Sequence, residues 1–208
     1  MRAASLQTDV FVLGKQPPAD SFVTFHGFSA EVGNLVMLQR IIKKTPSQSV
    51  ALDLFDQVSL SLETSNQGRT YFIKEARLVR RHLAIGRSYD ALRFASALAA
   101  VVSRNDVHEE SRSSVMSLLS TAFAAFETSA RPDIVYFKAV YRFARDEGYP
   151  LKEEWFPTLP AADRSAVTGL LNKPLADQQE PPESVTRLQR RLEEYLQRYT
   201  EIYIGDQK

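Results

Sequence analysis

The spacing of apolar positions changes once along this chain, near Arg81. From Leu6 to that point they come in short runs or in strict alternation, the patterns of strands. Val10-Phe11-Val12-Leu13 form an apolar run closed by Gly14 and Pro17-Pro18, and Phe22, Val23, Phe25 and Phe28 make a second, aromatic one. Gly33-Asn34 predicts a reversal, with Leu35 to Leu38 and Ile41-Ile42 beyond it, and Lys43 to Ser49 reads as a polar loop containing Pro46. Val58, Leu60 and Leu62 then alternate with Gln57, Ser59, Ser61 and Glu63, a half-buried strand. Asn66-Gln67-Gly68 supplies a hairpin turn, and Tyr71-Phe72-Ile73 begins a return strand toward Val79. About five antiparallel strands in about eighty residues fit a small closed or nearly closed barrel better than an open sheet with two edges to protect.

Beyond Arg81 the period becomes helical. Tyr89 to Ser103 places Leu92, Ala95, Ala99 and Val102 on one face, and Val107 to Thr128 does the same with Val115, Leu118, Leu119, Ala122, Phe123 and Phe126 behind an acidic Glu109-Glu110 first turn. Pro132-Asp133 opens a third helix with Val135, Tyr136, Ala139, Val140 and Phe143 as its stripe, ended by Gly148. Tyr149 to Pro160 reads as an ordered loop, Ala161 to Leu171 as a short helix, and Glu183 to Ile204 as a last helix buried along Val185, Leu188, Leu192, Tyr195, Leu196, Tyr199 and Ile202. The chain is therefore read as α+β, an N-terminal antiparallel five-stranded β-barrel followed by an α-helical bundle, with no internal repeat.

Composition narrows the chemistry. The 208 residues include no cysteine, which excludes disulfides, thiolate metal sites and a cysteine nucleophile and suits a reducing, cytoplasmic setting. No charged head precedes an apolar core at the N-terminus, and no stretch approaches the roughly 18 apolar residues of a membrane span, so a soluble, unprocessed chain without a membrane partner is expected. His26, His82 and His108 are scattered, no phosphate-binding glycine loop or G-x-S-x-G occurs, and the pairs Glu109-Glu110 and Glu153-Glu154 read as solvated rather than as acid/base couples. Neither enzymatic activity nor a metal or other cofactor is expected.

Charge is divided unevenly. Through Arg104 there are 13 basic and 8 acidic residues, a balance of +5; from Asn105 onward 13 face 17, a balance of −4. Arg40, Lys43 and Lys44 end one strand and enter its loop, while Lys74, Arg77, Arg80 and Arg81 close the barrel. On a small barrel two such clusters suit the backbone of a nucleic acid, with Phe25, Phe28 or Tyr71 for base stacking; the competing reading makes those aromatics core and the cations ordinary surface. In the acidic half, Lys138, Arg142 and Arg145 are spaced four and three apart and read either as a basic strip beside Tyr136, Val140 and Phe143 that captures a partner, or as ion-pair partners of Asp146, Glu147 or Asp133.

The order of these signals resembles the bacterial RecO family of recombination mediators over Thr8 to Ile204. Asp9 to Leu13 followed by Asp20 to Phe25 and Glu31-Val32-Gly33 is similar to that family's opening hairpin. Lys43 to Ser49, then Ala51 to Phe55 and Val58 to Leu62, is similar to its basic loop and the strand beyond. Lys74-Glu75-Ala76 resembles its alanine-centred strand end, Phe137 to Gly148-Tyr149 its Gly-Tyr helix, and Leu188 to Leu196 its final helix. The sequence also departs from the family. Gly148-Tyr149-Pro150-Leu151 lacks the four zinc-binding cysteines that many members carry there, so that element is lost or replaced by packing of Trp155 and Phe156. Gln48 stands in place of a loop arginine, and Val135-Tyr136 in place of an arginine pair.

The resemblance implies an OB-fold over residues 1–81 and a helical domain over 82–208. It also implies DNA repair and recombination through binding of single- and double-stranded DNA, strand annealing, and help in loading the RecA recombinase on DNA covered by single-strand-binding protein, together with RecR. The acidic tail of single-strand-binding protein is the ligand implied for Lys138, Arg142 and Arg145. The alternative is a RecO-like interaction module acting through protein contacts with little DNA binding.

Overall fold

A computed structural model describes residues 5–19, 21–41, 50–64 and 70–205. Lys43, Lys44 and the Asn66-Gln67-Gly68 turn lie outside them. The chain is α+β: among the described residues five strands, β1 (Ser5–Lys15), β2 (Phe22–Ser29), β3 (Gly33–Arg40), β4 (Gln57–Thr64) and β5 (Tyr71–Arg80), precede five helices, α1 (Tyr89–Arg104), α2 (Arg112–Thr128), α3 (Pro132–Asp146), α4 (Ala161–Asn172) and α5 (Pro182–Tyr199). It divides into two compact units, Met1–His82 with Asp106–Met116, and Leu83–Asn105 with Ser117–Lys208. Residues 106–116, which the sequence reading gives to the helical domain, group with the sheet.

The sheet closes in the order β1-β2-β3-β5-β4. Closure depends on β1, whose first half pairs with β4, from Ser5↔Glu63 to Phe11↔Gln57, and whose second half pairs with β2, from Val10↔Ser29 to Lys15↔Phe25. An irregularity between Val12 and Gly14 bends the strand from one partner to the other, as bulges do in small barrels. Four of the neighbouring pairs are antiparallel, whereas β3 and β5 run parallel over Met37↔Tyr71 and Leu38↔Phe72, which corrects the all-antiparallel expectation. Inside lie Val10, Val12, Phe25, Leu35, Met37, Leu52, Val58, Leu60 and Leu62.

Two devices tie the sheet's ends. The turn after β2 is followed by Gly33 at φ +79, and the Arg112 guanidinium lies against it, donating from Nη1 to Glu31 O at 3.2 Å. A Cβ at Gly33 would stand 3.1 Å from Arg112 Nε. Before β4, Phe55 sits at φ +67 with its ring buried. Its N–H donates to Val12 O at 2.8 Å, while Val12 N–H donates to Asp56 O at 2.9 Å.

In the helical unit Ser88 caps α1, accepting from Ala91 N–H, and α3 packs against α1, α4 and α5, with Ile134, Phe137, Phe143 and Ala144 fully buried. Burial raises the proton affinity of both the Tyr136 hydroxyl and the Glu193 carboxyl; Tyr136 Oη and Gln189 Nε2 each donate to Glu193 Oε1 at 3.1 Å, joining α3 to α5. Asp163 of α4 fastens α5 by accepting from Arg187 Nη2 at 3.0 Å and pairing with Arg191 Nε at 3.2 Å.

Several local expectations are corrected. Tyr149 to Pro160 is not a loop but a π turn, Leu151–Trp155, and a 3-10 turn, Phe156–Thr158, because Leu151, Trp155 and Leu159 must all face inward. The second helix begins at Arg112 after a 3-10 turn over Glu109–Ser111. Leu92 is exposed, since the buried face of α1 centres on Ala91, Phe94, Ala95 and Leu98. The last helix stops at Tyr199, which is exposed. Thr200 is extended, and Ile202 and Ile204 reach the interior from irregular chain.

Candidate functional site

Alternation and register define the outer face of the β2–β3–β5 part of the sheet. On β2, Val23 and Phe25 point to the core, so Phe22, Thr24 and His26 point away; on β3 the outward residues are Val36, Leu38 and Arg40. Pairing sets Phe22 opposite Arg40, Thr24 opposite Leu38 and His26 opposite Val36. On β5, Tyr71 and Ile73 pack on the core, which turns Phe72 and Lys74 outward, and the short parallel ladder places Phe72 beside Leu38. The Phe22 and Phe72 rings meet on that face, centroids 5.8 Å apart and tilted by 52°. Both are partly exposed, while Arg40 is exposed at the same end. The His26 ring is within 3.0 Å of Gln16 Nε2.

The stacking aromatics expected from sequence are therefore corrected. Phe25 and Phe28 are 1% and 0% exposed, and Tyr71 packs against the core. Phe22 and Phe72, fifty positions apart, are the pair that the fold brings to the surface. In β5 the inward parity of Tyr71 and Ile73 already implied an outward Phe72, but the contact with Phe22 depends on the parallel β3–β5 pairing.

The predicted cations separate into groups. Arg40 lies opposite Phe22, and Lys74, two residues beyond Phe72, forms an ion pair with Glu63 of β4. Past Phe72 the ladder to β3 ends, and Arg77 and Arg80 lie alongside β4, opposite Ser59 and Gln57. Arg81 is half-buried and engaged: Nε and Nη2 donate to Asp56 Oδ1 and Oδ2 at 2.9 and 2.6 Å, and Nη2 also donates to Ala51 O at 2.6 Å. These bonds hold its guanidinium above even its usual proton affinity.

The helical unit contains an open cleft of about 990 Å³ with Leu118, Ala122, Val135 and Phe156 among its apolar lining, and Lys138, Arg142 and Arg145 all reach it. Tyr136, Val140 and Phe143, expected to border this strip, are at most 1% exposed and face the interior instead. Asp146 takes up both arginines: Arg142 Nε donates to Oδ2 at 3.3 Å, and Arg145 Nε and Nη2 donate to Oδ1 at 3.0 and 2.7 Å. Asp133 instead pairs with Arg131. Lys138 Nζ donates to Lys173 O at 2.9 Å, and burial lowers its proton affinity. Trp155 is 2% exposed, with its ring 6.2 Å from that of Tyr141, and Phe156 lines the cleft.

Among the described residues no group of three His, Asp or Glu could hold a metal ion, and no helix is long and apolar enough to cross a membrane. No family model and no curated protein matches the chain.

Proposed function

We propose that this chain is a RecO-like, DNA-binding recombination mediator whose N-terminal sheet is an OB-fold. In this reading it binds single- and double-stranded DNA, anneals strands and, with RecR, helps load RecA on DNA covered by single-strand-binding protein. The observation that carries the reading is the Phe22–Phe72 ring pair with Arg40 opposite Phe22 and Lys74 two residues beyond Phe72. It lies on the outer face of strands β2, β3 and β5, which takes in the strand 2–3 face with which five-stranded OB barrels meet oligonucleotides. The strand order β1-β2-β3-β5-β4, closing on β1, agrees with that fold. Aromatic faces stack unpaired bases at about 1–3 kcal/mol each, and the neighbouring cations meet phosphates.

Changing Phe22 and Phe72 together to Leu is expected to weaken binding of a single-stranded oligonucleotide roughly tenfold or more, read by fluorescence anisotropy. Because both side chains are partly exposed and leucine keeps much of their volume, the thermal midpoint should move little. Undiminished affinity would remove the nucleic-acid reading of this face.

The cleft supports the partner half of the proposal and, if DNA binding proves weak, the interaction-module reading. A ligand with carboxylates and an apolar end, such as the tail of single-strand-binding protein, matches the apolar lining and the cations Lys138, Arg142, Arg145 and Lys152, and would compete with Asp146 for the two arginines. Titration with the acidic tail peptide should show micromolar binding that is lost in Arg142→Ala/Arg145→Ala. An absence of binding at hundreds of micromolar would leave the cleft without this partner.

A further inference from the structure

The C-terminal end of the helical unit presents a surface that neither the ring pair nor the cleft uses. Beyond α5 the chain is held tightly: Ile202 and Ile204 are buried, and Asn105, itself buried, clamps the backbone between them. Its Nδ2 donates to Tyr203 O at 2.9 Å and its Oδ1 accepts from Tyr203 N–H at 2.7 Å. Glu201 N–H donates to the Tyr149 hydroxyl at 3.2 Å. With its backbone fixed in this way, Tyr203 turns its ring outward, 49% exposed, and the Arg104 guanidinium lies 5.5 Å from the ring centroid. Four residues earlier Tyr199 is 64% exposed. Its ring is 5.1 Å from that of Tyr195, which is anchored through its hydroxyl to Glu154, and Arg198 lies 5.8 Å from its centroid.

We propose that Tyr199 and Tyr203 form a stacking platform for unpaired bases of single-stranded nucleic acid, with Arg198 and Arg104 meeting the adjoining phosphates. Twice within five residues an exposed aromatic ring has a guanidinium over it, a pairing of ring and cation that matches base and phosphate along a strand. Among the described residues neither guanidinium has a carboxylate partner, whereas nearby Glu194 is taken by Arg190. The Tyr203 backbone is already fixed by Asn105 and the Tyr199 ring packs on the anchored Tyr195, so less freedom is lost on stacking than for a ring on free chain, which favours binding. Glu201 lies between the two modules and offsets part of their charge, so stacking dominates and the salt dependence contributed here is small.

The inference extends the single-stranded DNA reading and rests on it. The test uses the full chain and an oligonucleotide carrying 5-iodouracil, photo-cross-linked and mapped by mass spectrometry, in the wild type and in Phe22→Leu/Phe72→Leu. Cross-links to Tyr199 or Tyr203 are expected in both proteins. Tyr199→Leu/Tyr203→Leu should lower affinity for a long oligonucleotide roughly tenfold, and Tyr199→Phe/Tyr203→Phe should restore it, because the ring and not the hydroxyl stacks. Cross-links confined to the peptides of Phe22 and Phe72, with unchanged affinity in the leucine variant, overturn the platform and leave the DNA reading standing. Absence of binding and cross-linking everywhere overturns both.

Discussion

Replacing Arg81 by alanine is expected to destabilise the sheet unit by about 3 kcal/mol while leaving DNA affinity close to that of the wild type, the reverse of what its place in a basic run suggests. The side chain is 31% exposed, but the carboxylate that it serves, Asp56, is fully buried. Asp56 Oδ2 also accepts from Asp53 N–H at 2.9 Å, and its backbone carbonyl accepts from Val12. Removing the guanidinium leaves a buried charge with one neutral donor, and breaking such a pair from one side costs about 3–5 kcal/mol. The lower end applies because part of Arg81 is already solvated. Asp56→Ala should cost less, because the abandoned guanidinium can turn to water, and the double variant should be more stable than the two single losses added together. Urea midpoints of the four proteins measure this cycle. Arg77→Ala is the contrast: an exposed residue whose loss should leave the midpoint within about 0.5 kcal/mol. Equal midpoints for Arg81→Ala and Arg77→Ala would contradict the assignment.

Gly27→Ala is expected to cost about 2–3 kcal/mol, the upper part of the range for an overpacked core. Gly27 pairs with Val12 on β1 and Leu35 on β3. A Cβ there would stand 2.5 Å from Val10 Cγ1, 2.7 Å from Met37 Cε and 3.1 Å from Phe11 O. The Met37 methyl can swing aside. The β-branched Val10 has little rotamer freedom and the Phe11 carbonyl none, so the strand itself must shift. For a chain of this size the melting temperature should fall by roughly 4–12 °C. Gly86→Ala is the control, since its Cβ would meet nothing within 4 Å and its φ is not positive. Equal melting temperatures for the two variants would mean that the core of the closed sheet yields as easily as the surface.

Much of the architecture follows from local regularities that the sequence states directly. The change of period near Arg81, the alternation from Gln57 to Glu63, Pro132 at a helix start and Gly148 at φ +90 after its end each depend on neighbouring residues alone, and each appears where the pattern puts it. What periodicity cannot state is which distant residue a side chain meets. Val10, Phe11 and Val12 are all buried, so parity does not distinguish the faces of that strand, and in β2 aromatics stand at positions of both parities; only the register on β3 separates inward Phe25 from outward Phe22. Phe72 reaches Phe22 through a parallel pairing of two residues from β3 and two from β5. The task of Arg81 is set by a corner at Phe55 that places a buried carboxylate twenty-five positions away. Likewise α5 keeps its amphipathic spacing through Ile202, yet ends at Tyr199 because Thr200 turns extended and Asn105, nearly a hundred residues earlier, supplies the backbone's hydrogen bonds instead. Periodicity fixes a residue's side of its own element, whereas the site residues act through contacts that exist only after remote elements have packed.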